Sequence, residues 1–356
     1  MSRTRISLLL ALLLVGAWTG LLAFDAGGRG DLHAVASIGP QKTLRSPRIT
    51  GAGQDDYAAV VRGLWVDAAG TTAIAAGDDH VVRVWDLGRG KITKTLRAHT
   101  DWVRSVAVSA DGKWLATAGD DRRVCLWRLP DYELAGESFE LPAAVHGVAF
   151  APDGKRLAAV GFDRKVRVFD PEQMQMYSEL DGPCDGLESV CYSPDGRQLA
   201  AAGRNGTVRV WDASDGRLLA DLSTDRRRLS ALTYSPSGKQ LAAAGDSGTI
   251  HLFDAEALQP QADLAHRAGG VLSLAWCGND TLAAGYTTNT IRVWNTVSHK
   301  EQARLNGHTG SVAALAYAAS GETLVSSGYD TTLRVWRLDE RFGRLQRPPT
   351  ATTRAR

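Results

Sequence analysis

Side chains able to do chemistry are scattered through this chain and do not gather into a reactive set. The eight histidines are His33, His80, His99, His146, His251, His266, His299 and His308. None belongs to an HExxH string, and no GxSxG, P-loop or EF-hand string occurs. The four cysteines, Cys125, Cys184, Cys191 and Cys277, show neither CxxC nor metal-finger spacing and read as small buried apolar residues. No catalytic, cofactor-binding or metal-binding residues are therefore expected. With 41 Lys+Arg against 39 Asp+Glu, the near-neutral balance also argues against a general polyanion binder, so no nucleic acid partner is expected. A chain of 356 residues that is 44% apolar is neither disordered nor in need of disulfide staples.

The elements around these residues divide the chain. An apolar run from Ile6 to Ala23 holds no charge over 18 residues and follows Arg3 and Arg5. As a helix it would be about 27 Å long, close to the width of a bilayer core. Residues 1–24 thus read as a hydrophobic helix serving as signal peptide or membrane anchor, with small residues poorly placed for cleavage. The two arginines ahead of the run predict a folded part facing away from the cytoplasm: membrane-anchored through residues 6–23, or secreted or periplasmic if the segment is cleaved. Residues 25–54 read as a tether, and 341–356 as a polar tail.

Between them a period dominates. Trp85, Trp127, Phe169, Trp211, Phe253, Trp294 and Trp336 close matching runs, spaced 42, 42, 42, 42, 41 and 42 residues apart. Each unit reads as short strands and turns. In the second, VRSVAVS (Val103 to Ser109), WLATAG (Trp114 to Gly119) and VCLWRL (Val124 to Leu129) are strands, and a fourth lies near Tyr132–Leu141. The first turn is an Ala-Asp-Gly, Pro-Asp-Gly or Pro-Ser-Gly sequence in several units, because glycine accepts the positive φ that a hairpin connection needs. The middle strands LAAVG, LAAAG and LAAAG, from Leu157, Leu199 and Leu241, are apolar throughout, which requires cover on both faces. Four-stranded sheets stacked around an axis supply that cover.

These units resemble WD repeats, and residues 55–340 are similar to a seven-bladed WD-repeat β-propeller. The fold class expected is all-β: four-stranded antiparallel blades preceded by one hydrophobic N-terminal helix. The Trp-Asp pair survives at Trp85-Asp86 and Trp211-Asp212. The resemblance implies that His99, Thr117, Asp121 and Trp127, and likewise His308, Ser326, Asp330 and Trp336, each form one buried structural network. A buried carboxylate needs such donors in any case. Asp79 and Asp163 lack the histidine, since Tyr57 and Leu141 hold that register, and Asn205, Ser247 and Thr288 replace the Asp. Those blades are expected to rely on apolar packing. The last blade of such a ring takes its outer strand from the other end of the chain. The segment Gln41–Thr50 suits that better than Arg341–Thr350, which ends in Pro348-Pro349.

At the axis, the first strands would bring together Arg62, Arg104, His146, Glu188, Ser230, Leu272 and Ala313, too few acids and histidines for a metal. The fold further implies that the loops entering each first strand share a face with the turns between second and third strands. That face carries Arg122, Arg123, Arg164, Arg204, Arg227 and Arg228, with Trp102, Phe162, Tyr286 and Tyr329 at loop positions. Arg and aromatic anchors are the composition of binding hot spots. The expected function is a non-catalytic interaction scaffold, a monomeric propeller that binds an unidentified protein or peptide there. The alternative is an exported propeller enzyme or small-ligand sensor using the central channel.

Overall fold

A computed structural model describes residues 36–46, 48–51, 54–136, 139–265 and 269–338. The expected helix at 6–23 and the alternative closing segment at 341–350 lie outside the described residues. Among those described, no helix is long and apolar enough to cross a membrane.

Seven antiparallel sheets follow one another along the chain, with first strands at Val61–Val66, Val103–Val108, Val145–Phe150, Leu187–Tyr192, Leu229–Tyr234, Val271–Trp276 and Val312–Ala318. Within each blade the strands pair in sequence order. The turn between first and second strands is closed by glycine at positive φ, as at Gly112, Gly154, Gly196 and Gly238, where φ lies between 69° and 73°. In two of these turns a serine hydroxyl donates to the turn aspartate, Ser109 to Asp111 and Ser193 to Asp195, both at 2.6 Å.

The core lies between blades rather than within them. Seven apolar clusters join neighbours, one for every adjacent pair, and the last joins blade 7 to blade 1 through Val325, Leu333, Ala73 and Trp85. This is why the second strands are apolar on both faces: Ala200, Ala201 and Ala202 are each fully covered, alternately by the blade before and the blade after. Alanine leaves room for the sheets to approach, while the closing Trp or Phe of the third strand fills the wider outer part of each interface. Opening the circle would uncover two such faces at once, at about 25 cal/mol per Å² of apolar surface.

The circle is shut by Lys42–Arg45, which pairs antiparallel with Thr332–Arg337 as the outer strand of blade 7, Leu44 opposite Leu333. Leu44 is buried between blades 7 and 1, and Lys42 Nζ donates to the carbonyls of Leu87 and Gly88 in blade 1.

Three features depart from the sequence expectations. Part of the expected tether, Ala36–Ile38, is a strand paired in parallel with Lys300–Asn306, giving blade 6 a fifth strand. Arg48–Gly51 and Gln54–Ala58 form a hairpin ahead of blade 1. The outer strand of blade 2 is split into Glu133–Leu134 and Phe139–Glu140, both paired with Arg123–Arg128.

Candidate functional site at the channel mouth

Two side-chain networks pin the blades that carry them. In blade 2, His99 Nδ1 lies 2.8 Å from Asp121, His99 Nε2 lies 2.8 Å from Thr117 Oγ1, and Trp127 Nε1–H donates to that hydroxyl at 3.0 Å. Blade 7 repeats this with His308, Asp330, Ser326 and Trp336 at 3.0, 2.7 and 2.8 Å. The acids also accept backbone N–H groups within their own tight turns, from Arg123 and Thr332.

The two histidines differ electrostatically. Burial disfavours charge on His99, but the hydrogen bonds and charges of Asp121 and Cys125 together outweigh this and push its pKa up to about 9. His308 is instead held below its usual value, by burial and by the nearby Arg334 guanidinium, which shares Asp330.

Blades 1 and 3 do not rely on packing alone, as the sequence suggested. Asp79, whose side chain is fully buried, pairs with Arg83, and Asp163 pairs with Arg167 at 2.8 Å. A third-strand arginine supplies the counter-charge where the histidine is missing. In blade 2, which has the histidine, Cys125 stands at this place.

The first-strand row converges as the repeat requires. Arg62, Arg104, His146, Glu188, Ser230, Leu272 and Ala313 line one cavity of about 430 Å³ at the axis, joined from the rim by Phe162, Arg204, Arg228 and Tyr329. Glu188 is its acid. Burial works against the charge of Glu188, but the His146 hydrogen bond at 3.1 Å and the guanidinium groups of Arg228 and Arg204 hold its carboxyl below the usual range. Arg104 is forked onto Asp120 at 2.9 and 2.5 Å. Arg62 has no ion pair among the described residues and lies between two rings, 5.1 Å from Tyr329 and 5.9 Å from Trp102. Arg204 lies 5.3 Å from the Phe162 ring.

Of the residues assigned to the docking face, Phe162, Arg204, Arg228 and Tyr329 thus meet at the mouth, and Trp102 packs on Arg62 and Arg104 beside it. Trp102, Phe162 and Tyr329 are about two fifths exposed, at 39%, 41% and 41%. Arg227 is exposed and does not line the cavity. Arg122 points to Glu140 at 3.3 Å, Arg123 opens a third strand, and Arg164 donates to the Gly182 carbonyl.

Tyr286 requires correction. It is fully buried, the last residue of the second strand in blade 6, packed with Val271, Leu282 and Trp294. It is not on the face. In blade 5 the matching place is Gly245, where a Cβ would sit 1.9 Å from the Arg228 carbonyl. Blade 6 is one residue shorter, and its glycine falls one place earlier.

Among the described residues no group of three or more His, Cys, Asp or Glu side chains is placed to hold a metal ion. The mouth is lined by arginine and aromatic side chains.

Comparison with known proteins agrees with this architecture. Residues 90–128, 137–170, 174–212 and 216–254 match the family model "WD domain, G-beta repeat", and residues 244–356 match "IFT140 first beta-propeller". The chain is a seven-bladed β-propeller carrying WD40 repeats. It is similar to "p21-activated protein kinase-interacting protein 1-like" of Xenopus laevis, at 38% identity over 22% of this chain and 21% of that protein. It is also similar to "Cell division cycle 20.6, cofactor of APC complex" of Arabidopsis thaliana, at 36% over 24% and 19%. A third relative is "DDB1- and CUL4-associated factor 13" of Dictyostelium discoideum, at 33% over 17% and 14%. The matches span about a fifth or less of the length of these curated relatives.

Proposed function

We propose that this protein is a non-catalytic interaction scaffold that holds a protein or peptide partner on the loop face around the channel mouth. The observation that carries this is the aromatic rim: Trp102, Phe162 and Tyr329 are exposed together at the channel mouth and each rests against an arginine, whereas the other exposed ring among the described residues, Tyr177, lies on the outer strand of blade 3. Stiff aromatic groups pre-stacked with guanidinium lose little side-chain entropy on binding, the feature that makes such positions hot spots. The relatives support this class, since their names describe an interacting protein, a cofactor of a complex and an associated factor. Pull-down with wild type and with Arg227→Glu/Arg228→Glu tests it. Partners should be lost from the double variant, and unchanged recovery of every partner contradicts the assignment.

An extracytoplasmic setting is part of the same proposal. Its support is the uncharged run from Ile6 to Ala23 behind Arg3 and Arg5. Fractionation of cells expressing the chain checks it: recovery at the membrane or outside the cytoplasm is expected, and recovery wholly in the cytosol overturns it.

A further inference from the structure

We infer that the channel mouth selects an acidic segment of the partner, seating an Asp or Glu carboxylate between Arg62, Arg204 and Arg228. This rests on the loop-face reading above and names the chemistry of what binds there.

Three observations lead to it. The first is unspent donor capacity. Arg204 and Arg228 approach Glu188 only to 3.9 and 3.7 Å, beyond ordinary hydrogen-bond length, and Arg62, whose charge is felt by Asp78, makes no ion pair with it or with any other acid among the described residues. Arg104 is the lining arginine already forked onto a carboxylate, that of Asp120. The second is orphaned polarity. His146 Nε2, Arg228 Nε and Ser230 Oγ are buried without a hydrogen-bond partner among the described residues, and all three residues line this one cavity. Buried polar atoms left unpaired are costly, so a site that gathers them is one a polar group can fill.

The third is charge. Four arginines line the cavity against the single carboxylate of Glu188. Asp120 and Asp246 pair with Arg104 and Arg228 from the rim, which leaves Arg62 and Arg204 as the cations least compensated. A guanidinium fork matches a carboxylate, and in a partly enclosed site that contact is stronger than in open water. The remaining wall, from Leu272 and Ala313, is apolar. It suits the methylene stem of a glutamate.

A free small anion would need only the well. The exposed rings of Trp102, Phe162 and Tyr329 extend the surface beyond the well, so an extended peptide uses more of what is present.

The test selects random displayed peptides on the full chain, then measures the enriched sequences by fluorescence anisotropy. The expected result is recurrent Asp or Glu, with affinity falling as salt rises. Loss of one charge-assisted contact in Arg62→Gln or Arg204→Gln should weaken binding by about tenfold or more. Arg204 is 56% exposed at its side chain, so its variant should fold normally. Acidic peptides that bind both variants as tightly as wild type overturn the inference. So does binding of free glutamate or inorganic phosphate as tight as that of the peptides, which would mark a small-anion site. Neutral or basic sequences whose binding is lost in Trp102→Ala would overturn the acidic assignment and leave the interaction face standing. Absence of any enriched sequence would remove both.

Discussion

Arg167 and Asp163 meet at 2.8 Å in blade 3, at the place where blade 2 joins His99 to Asp121. The turn carboxylate is neutralised in both blades, from the third strand in one and from the entry loop in the other. Blade 1 uses the third-strand solution with Arg83 and Asp79, and blade 7 uses both, with His308 and Arg334 on Asp330. The pinning of these propeller turns is therefore an electrostatic requirement with two interchangeable donors.

Removing the donor should expose how much each turn depends on it. Arg83→Ala leaves Asp79 buried and unpaired, a change that costs about 3–5 kcal/mol when a buried pair is broken. Arg167→Ala leaves Asp163 about a quarter exposed, at 26%, and should cost about 1–3 kcal/mol. Urea unfolding of both variants checks the order; equal effects, or none, would show that apolar packing suffices in these blades.

Thr117→Val removes the hydroxyl that joins His99 to Trp127 while keeping the shape of the side chain. Two buried polar groups lose a partner, and a loss of about 1–3 kcal/mol is expected. Ser326→Ala should act likewise in blade 7. The two sites lie in different blades with no shared partner, so the double variant should be additive within about 0.5 kcal/mol. Strong coupling measured by unfolding would contradict independent networks.

The two histidines should give opposite pH dependences. His99 has its folded pKa raised to about 9 from 6.5, so its stabilisation is complete below about 6.5 and is lost as pH rises through 9. His308 has its folded pKa lowered, so its contribution is complete above about 6.5 and is lost as pH falls through the folded value. Stability compared with wild type should therefore converge at high pH for His99→Gln and at low pH for His308→Gln. Parallel curves for the two variants would refute the difference in protonation.

Closure of the ring gives a further test. Leu44→Asp places a charge in the interface of blades 7 and 1, where Leu44 is buried, and should lower the midpoint of thermal unfolding by several degrees for a loss of about 2 kcal/mol or more. A midpoint unchanged from wild type would mean that Lys42–Arg45 does not hold the circle.

The repeat made most of this architecture legible, because every blade meets the same packing demand at the same register. Trp85 through Trp336 mark it directly, and the first-strand row from Arg62 to Ala313 could be aligned before any coordinate was known. Tyr286 was misplaced for a physical reason: the glycine of blade 6 stands one place earlier, at Gly285, so the tyrosine that ends the second strand follows a glycine just as the loop residue Asp246 does in blade 5. The role of Arg83 and Arg167 was also readable, from an arginine four residues after the turn aspartate, but it lay inside the repeated RVWD and RVFD strings and looked like ordinary strand polarity. The parallel strand Ala36–Ile38 carries no pattern at all, since three residues added to an existing edge need only free backbone groups.

The account stands most directly on which face meets the partner. A photo-crosslinking residue at Tyr329, exposed on the rim, can be compared in intact cells with one at Val297, 68% exposed in the turn between third and fourth strands on the opposite face. The account predicts a defined protein adduct from position 329 and none from 297. Adducts from 297 alone would contradict it.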